Sequence, residues 1–210
     1  VNVNCPIGSG WQNQKRGVAL IVENNSRLCS GSLINNVRID FRPLFLTARH
    51  CLGNPGNWVF YFNYESPDCP NQDGPLNQTV ANATTRASWV TSDFALLELS
   101  SSVPPSYNPY FNGWDRVSGS ARSVGIHHPR GDIKKISVDS NAAVSDDWLC
   151  AAGGNDHWKI EDWEVGRTES GSSGSPLFNE YHSIIGQLHG VCYGPSCANP
   201  IDSRYGKLSL

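Results

Sequence analysis

A chain of 210 residues, 39% hydrophobic and 17% charged, can bury a substantial core and lacks the charge excess of a disordered segment. Its formal net charge of -3 offers no basic face for nucleic acid, and no apolar run approaches the roughly 18 residues that cross a bilayer. The opening stretch VNVNCPIGSG has neither the basic start nor the apolar core of a secretion signal, so the chain reads as soluble and already processed. Short runs rich in Val, Ile, Leu and aromatic residues then recur in order at 17–22, 28–34, 44–48, 58–64, 94–99, 123–127, 134–138 and 184–189. Gly, Pro, Asn and Ser clusters separate them. This spacing predicts many strands joined by turns, an all-β sandwich or barrel, with no long amphipathic helix. The segment SSSVPPSYNP at 100–109 would interrupt any strand and suits a connection between two units.

Cysteines stand at 5, 29, 51, 69, 150, 192 and 197, without the close C-x-x-C pairs of a zinc site. Disulfides in an oxidising compartment are the better reading. The odd count leaves one thiol free or its partner missing. No metal site is expected: His127 and His128 are adjacent, and neighbours on a strand point to opposite faces, which favours a structural role.

Three segments carry chemistry. In FLTARHCLG, residues 45 to 53, a strand end delivers His50 beside Cys51. A Cys29–Cys51 bridge would fix the backbone next to the imidazole and stabilise by about 3 kcal/mol in the chain-entropy picture. In WVTSDFALLEL, residues 89 to 99, the carboxylate of Asp93 precedes a run that must be buried and needs donors. An imidazole N–H is a good one, because it fixes the tautomer whose other nitrogen accepts a proton. In ESGSSGSPLF, residues 169 to 178, the glycines permit a tight turn with convergent N–H groups, and Pro176-Leu177-Phe178 leads into a packed strand as no floppy linker would. Taken singly, these read more readily as a surface histidine, a turn carboxylate and a Gly/Ser loop. Together they describe a serine activated by a base.

The segments TARHC, TSDFALLEL and GSSGSP, in the order His, Asp, Ser, resemble the catalytic segments of chymotrypsin-clan serine proteases. With CPIGSG, LCSGSLINN, GWDR, IHHPRG, KKIS and IGQLHG the chain resembles, from about Val1 to Gly206, the bacterial lysyl endopeptidases. The resemblance implies two six-stranded antiparallel Greek-key β-barrels with the site in the cleft between them. Residues 1–105 would carry His50 and Asp93, and residues 106–210 would carry Ser173 and the specificity pocket. It implies His50 as general base, Asp93 as its orienting partner and Ser173 as nucleophile. The N–H groups of Gly171 and Ser173 would form the oxyanion hole, where loss of one donor typically costs 10² to 10³ in rate.

Trypsin-like enzymes carry an aspartate where this chain has Ser172, so activation by an ion pair to a freed N-terminus is not expected. The family pattern instead suggests that Cys5–Cys69 ties the N-terminal segment down, and it leaves Cys150–Cys192 as a third bridge, with the partner of Cys197 lying upstream of Val1. It also implies an acid in the specificity pocket. Asp202 fits that place, which would select Lys or Arg before the scissile bond, but the register puts Ser203 in the slot relatives give the acid. Neutral specificity is the alternative. His189 and Trp148 fall where relatives line the pocket. Relatives continue past the Tyr-Gly strand, so the chain reads as a piece ending short at Leu210. The expectation is a secreted bacterial endopeptidase, monomeric, acting on polypeptides, without cofactor, nucleic acid or membrane partners. The rivals are a protease fold with a dead site used for binding, and a protease-like adhesin or toxin. Sequons at Asn24, Asn77 and Asn82 would be silent in a bacterial protein.

Overall fold

A computed structural model describes residues 1–117, 119–148, 154–191 and 202–209. Among these, two seven-stranded antiparallel sheets curl against one another. The first contains β1 (Val18–Glu23), β2 (Ser26–Ile34), β3 (Leu44–Ala48), β4 (Trp58–Phe62), β5 (Thr79–Ala81), β6 (Ala83–Trp89) and β7 (Phe94–Leu99). The second contains β8 (Ser123–His127), β9 (Lys135–Asp139), β10 (Val144–Asp146), β11 (His157–Ile160), β12 (Pro176–Phe178), β13 (Ile184–Gly190) and β14 (Ser203–Lys207). Each of the eight apolar runs in the sequence coincides with one of these strands.

The count of seven per sheet, against the six expected, has a local cause. In the first sheet, ordered β5-β4-β1-β2-β3-β7-β6, β5 and β6 are one extended run bent at Asn82, whose φ is 66°. Asn82 donates its N–H to Trp58 O at 2.8 Å and accepts from Ser100 N at 2.9 Å, so the bend is bonded to the start of β4 and the end of β7, the strands next to each edge. In the second sheet, ordered β10-β11-β14-β13-β12-β8-β9, consecutive β9 and β10 occupy the two edges in the same way. Curling brings the two edge strands of each sheet toward one another, although among the described residues they do not pair to close a barrel.

Alternation of apolar residues fills each sheet. Ile21, Phe45, Phe60 and Leu97 belong to one core; Ile160, Leu177, Leu188 and Tyr205 belong to another. A third cluster joins the halves, with Val18, Ile34 and Leu46 packed beside Val124, Ile126 and Ile184. The N-terminal residues cross over as well: Ile136 N donates to Val1 O at 2.9 Å, placing residue 1 against β9 of the second sheet. Disulfides Cys5–Cys69 and Cys29–Cys51 are formed. Cys150, Cys192 and Cys197, and with them the expected third bridge, lie outside the described residues.

The halves approach most closely behind the cleft. A Cβ on Gly206 would lie 1.6 Å from Ser92 O, so only a glycine on β14 admits the turn that carries Asp93. Gln187 of β13 donates from Nε2 to the same Ser92 O at 2.7 Å. One backbone oxygen of the first half is thus pinned by the second.

Candidate active site

Cys51 is bonded to Cys29 on β2, and the short turn Arg49–Cys51 follows β3, so His50 is held between a strand end and a cross-link. Asp93 precedes β7, which pairs with β3 from Leu44↔Glu98 to Ala48↔Phe94. That register brings the two turns together. Asp93 has a left-handed backbone, φ 53°, a conformation that costs energy for a non-glycine residue and persists when its surroundings hold it. Here Arg49 N donates to Asp93 O at 2.7 Å, and Asp93 N donates to Val90 O at 3.2 Å.

The carboxylate, only 3% exposed, divides its oxygens. Oδ1 accepts the His50 backbone N–H at 2.8 Å, and Oδ2 accepts the ring Nδ1–H at 2.6 Å. A buried carboxylate on Nδ1 fixes that tautomer and leaves Nε2 with its lone pair. The His50 side chain is 41% exposed and opens on a cleft of about 540 Å³ that Ser173 also lines, with Trp148, Thr168, Leu188 and His189. His50 Nε2 lies 3.9 Å from Cys51 Sγ. Among the described residues no hydrogen bond joins Nε2 to Ser173 Oγ; in unliganded sites such bonds are often long and tighten with substrate.

The Gly/Ser turn is rigid because both halves grip it. Ser30 on β2 accepts nothing from it but donates twice, from N to Ser173 O at 2.8 Å and from Oγ to Gly171 O at 2.9 Å. Gly174 donates to Leu188 O on β13 at 2.7 Å. Gly174 has φ 79°, and a Cβ there would meet Thr47 Oγ1 at 2.2 Å, so the turn lies directly on β3. Among the described residues the N–H groups of Gly171 and Ser173 have no protein acceptor, as oxyanion donors require.

Ser172 has a buried partner that the sequence reading did not name. Its Oγ lies 2.8 Å from His127 Nδ1, while Glu169 N donates to it at 3.1 Å. His127 Nε2 lies 3.0 Å from Ser137 Oγ. Complete burial pushes this imidazole down to about 3, so it stays neutral and serves as a strut. His128 is also buried and donates from Nδ1 to Asp132 O at 2.9 Å, the structural role expected of the pair.

Behind His50 runs a second chain of imidazoles. His189 is stacked on Trp148, with ring centroids 3.4 Å apart and planes 12° from parallel. Its Nδ1 lies 3.0 Å from His157 Nε2, and His157 Nδ1 in turn donates to Asp156 Oδ1. Burial lowers both rings, His189 to about 4 with Asp93 offsetting only part of the effect. The carboxylate of Asp156 fixes the proton on His157 Nδ1, so His157 Nε2 accepts from His189 Nδ1–H. His189 Nε2 then faces Asp93 Oδ2 at 3.8 Å.

Asp202 and Arg204 share a face of β14 and its approach, and Nη2 of Arg204 lies 3.4 Å from Asp202 Oδ2. Arg204 Nη1 also binds Asp146 Oδ2. The intervening Ser203 points the other way, where its Oγ accepts from Trp163 Nε1 at 3.0 Å and meets Thr168 Oγ1 at 2.8 Å. Asp202 Oδ1 is buried without a hydrogen-bond partner among the described residues.

The family model for the lysyl endopeptidase C-terminal domain matches residues 1–206. The chain belongs to the lysyl endopeptidase family. A curated lysyl endopeptidase of Pseudomonas aeruginosa is 31% identical to this family member over 97% of its chain. The family member spans about half the length of that relative, 47%. Solved structures share the fold at low identity. The Rv3671c protease of M. tuberculosis in its inactive form matches with TM-score 0.60 and 19% identity, covering 98% of this chain and 89% of that one. The thermostable serine protease AL20 from an extremophilic microorganism matches with TM-score 0.60 and 16% identity, covering 92% and 91%. These likenesses establish the chymotrypsin-like architecture of this lysyl endopeptidase-family domain.

Proposed function

We propose that this domain is a secreted, monomeric serine endopeptidase in which His50, Asp93 and Ser173 hydrolyse polypeptides through an acyl-enzyme. Residues 1–105 supply the base and its partner, and residues 106–210 supply the nucleophile. The observation that carries the reading is the carboxylate of Asp93, bonded to the His50 backbone N at 2.8 Å and to its ring Nδ1 at 2.6 Å, beside the cleft that Ser173 lines. With Nδ1 committed, Nε2 takes the Ser173 proton as Oγ attacks the scissile carbonyl. The carbonyl electron pair moves onto oxygen, where the N–H groups of Gly171 and Ser173 receive it. Collapse breaks the C–N bond, and His50 gives the proton to the departing amine. Water repeats the sequence on the ester and restores Ser173. Secretion fits the two disulfides. Among the described residues no helix is long and apolar enough to cross a membrane.

Cleavage after Lys or Arg is the specificity we propose. Arg204 stands between two carboxylates, Asp146 and Asp202, so the trio carries a net negative charge, and Asp202 Oδ1 has no partner among the described residues. Asp202 is not among the described residues that line the cleft beside His50 and Ser173, so a cationic side chain must reach past them to meet that oxygen; leaving buried charge uncompensated costs several kcal/mol. The competing reading, neutral specificity, draws on the same contact, since Arg204 already lies against Asp202. Digestion of a denatured protein mixture, with Ser173→Ala as the blank, decides between them. Cuts after Lys or Arg are expected. Cuts mainly after uncharged residues would overturn the basic preference, and no cuts above the blank would overturn the endopeptidase reading.

A further inference from the structure

We propose that His50, Asp93 and His189 form an inhibitory site for a divalent transition metal such as zinc. One donor atom from each lies within 4.8 Å of the other two. Imidazole and carboxylate are ordinary zinc ligands, with bonds of about 2.0 to 2.2 Å, which set neighbouring donors about 3.3 Å apart around a tetrahedral ion. His189 Nε2 is 3.8 Å from Asp93 Oδ2, and His50 Nδ1 is 2.6 Å from the same oxygen. The first gap must narrow slightly and the second widen. His50 has room for this, because its half-open side chain already stands parallel to His189, with centroids 5.6 Å apart and planes at 23°.

A second observation points to a cation. The order of donors along Asp156, His157 and His189 leaves His189 Nε2 bare and facing a carboxylate oxygen, two acceptors with no hydrogen between them. A metal ion satisfies both. The same chain is the outer support that metal-binding histidines use, in which the non-ligating nitrogen donates to an acceptor that fixes the ring. Trp148 fixes it further by stacking at 3.4 Å. The remaining position of the ion would face the cleft and take water.

Binding replaces the Nδ1–H bond of His50 with a bond from Nδ1 to zinc, and the ring proton moves through solvent to Nε2, so the ligating imidazole stays neutral. The imidazole then loses the orientation and tautomer that the proposed reaction needs. Inhibition therefore rests on the endopeptidase reading, whereas binding does not.

The test titrates zinc sulfate into the chelator-treated chain, following heat and hydrolysis of a peptide substrate. One ion per chain is expected, with hydrolysis falling in proportion to occupancy and returning with chelator. Ser173→Ala should bind zinc unchanged, which separates the metal site from the catalytic reading. His189→Gln should weaken binding at least a hundredfold, and His157→Phe, which touches no ligand position, about 10- to 100-fold. His182→Gln, a histidine in a groove beside Trp11, should leave it unchanged. Absence of a 1:1 binding event up to millimolar zinc would overturn the site. So would binding indifferent to both His189→Gln and His157→Phe in folded protein.

Discussion

Replacing Asp93 with asparagine isolates the contribution of one oxygen. The substitution is nearly isosteric, and the site dictates which way the amide must face. Oδ1 receives the His50 backbone N–H at 2.8 Å, so the amide oxygen has to stay there, since an NH2 group would oppose a donor. The NH2 then occupies the Oδ2 position, 2.6 Å from His50 Nδ1, where it can only donate. His50 must turn to the tautomer with its proton on Nε2, the nitrogen that the proposed mechanism needs as acceptor for the Ser173 proton. Loss of the working tautomer at a triad of this kind costs about 10⁴ in kcat, or about 5.4 kcal/mol of barrier at 1.36 kcal/mol per decade. Steady-state hydrolysis of a lysyl peptide substrate by Asp93→Asn, with circular dichroism to verify folding, measures it. KM should change little. A folded variant within tenfold of the parent would refute the assignment of Asp93 as the group that sets the His50 tautomer.

Three further outcomes follow from the surroundings of the site. His127→Phe removes a partner of Ser172 Oγ, which keeps only the Glu169 N–H, and the described partner of Ser137 Oγ, at about 1 to 3 kcal/mol for a buried hydroxyl left unpaired; kcat should fall at least tenfold with KM nearly unchanged, partial rescue should come from His127→Asn, and equal kinetics in all three proteins would detach this histidine from the turn. Burial alone would raise the Glu65 carboxyl, but Lys134 and Lys15 more than offset it and hold it at about 2. Its ordinary value is about 4.3, so the stabilisation is full above that range and is lost as pH falls through about 2. Urea unfolding between pH 6 and 2 should show this decline, Glu65→Gln should flatten it while costing about 3 to 5 kcal/mol at neutral pH, and parallel pH profiles would contradict the ion cluster. The double substitution of Cys29 and Cys51 with alanine opens a cross-link spanning 22 residues, worth about 3 kcal/mol; chemical denaturation should show that loss, and activity should fall with it because Cys51 adjoins His50.

What the sequence made legible was whatever a short segment carries by itself. The apolar runs became strands because alternation or continuous burial is a local property, as in Leu44–Ala48, buried throughout. The strands that were missed lack it. β6 reads ATTRASW and is exposed after its first residue, and β14 reads SRYGK yet is wholly buried, because its polar groups find partners across the fold, as Ser203 does in Trp163 and Thr168. The segments of the proposed triad stood out through neighbours that constrain them: Cys51 beside His50, the apolar strand after Asp93, the glycines around Ser173. Asp156 and His157 carry no such mark in GGNDHWKI, and their meaning arises only when β11 pairs with β14 and faces His189. The pairing of Asp202 with Arg204 lay closer to hand, since residues two apart on a strand share a face.

The central claim is that Ser173 is an activated nucleophile with His50 as its base, and covalent labelling by a fluorophosphonate tests it most directly. The folded chain should gain the mass of one phosphonyl group on Ser173, with no modification of Ser172 or Ser175, and His50→Ala should slow the labelling at least a hundredfold. No label on the folded chain, or equal labelling rates with and without the imidazole, would contradict it.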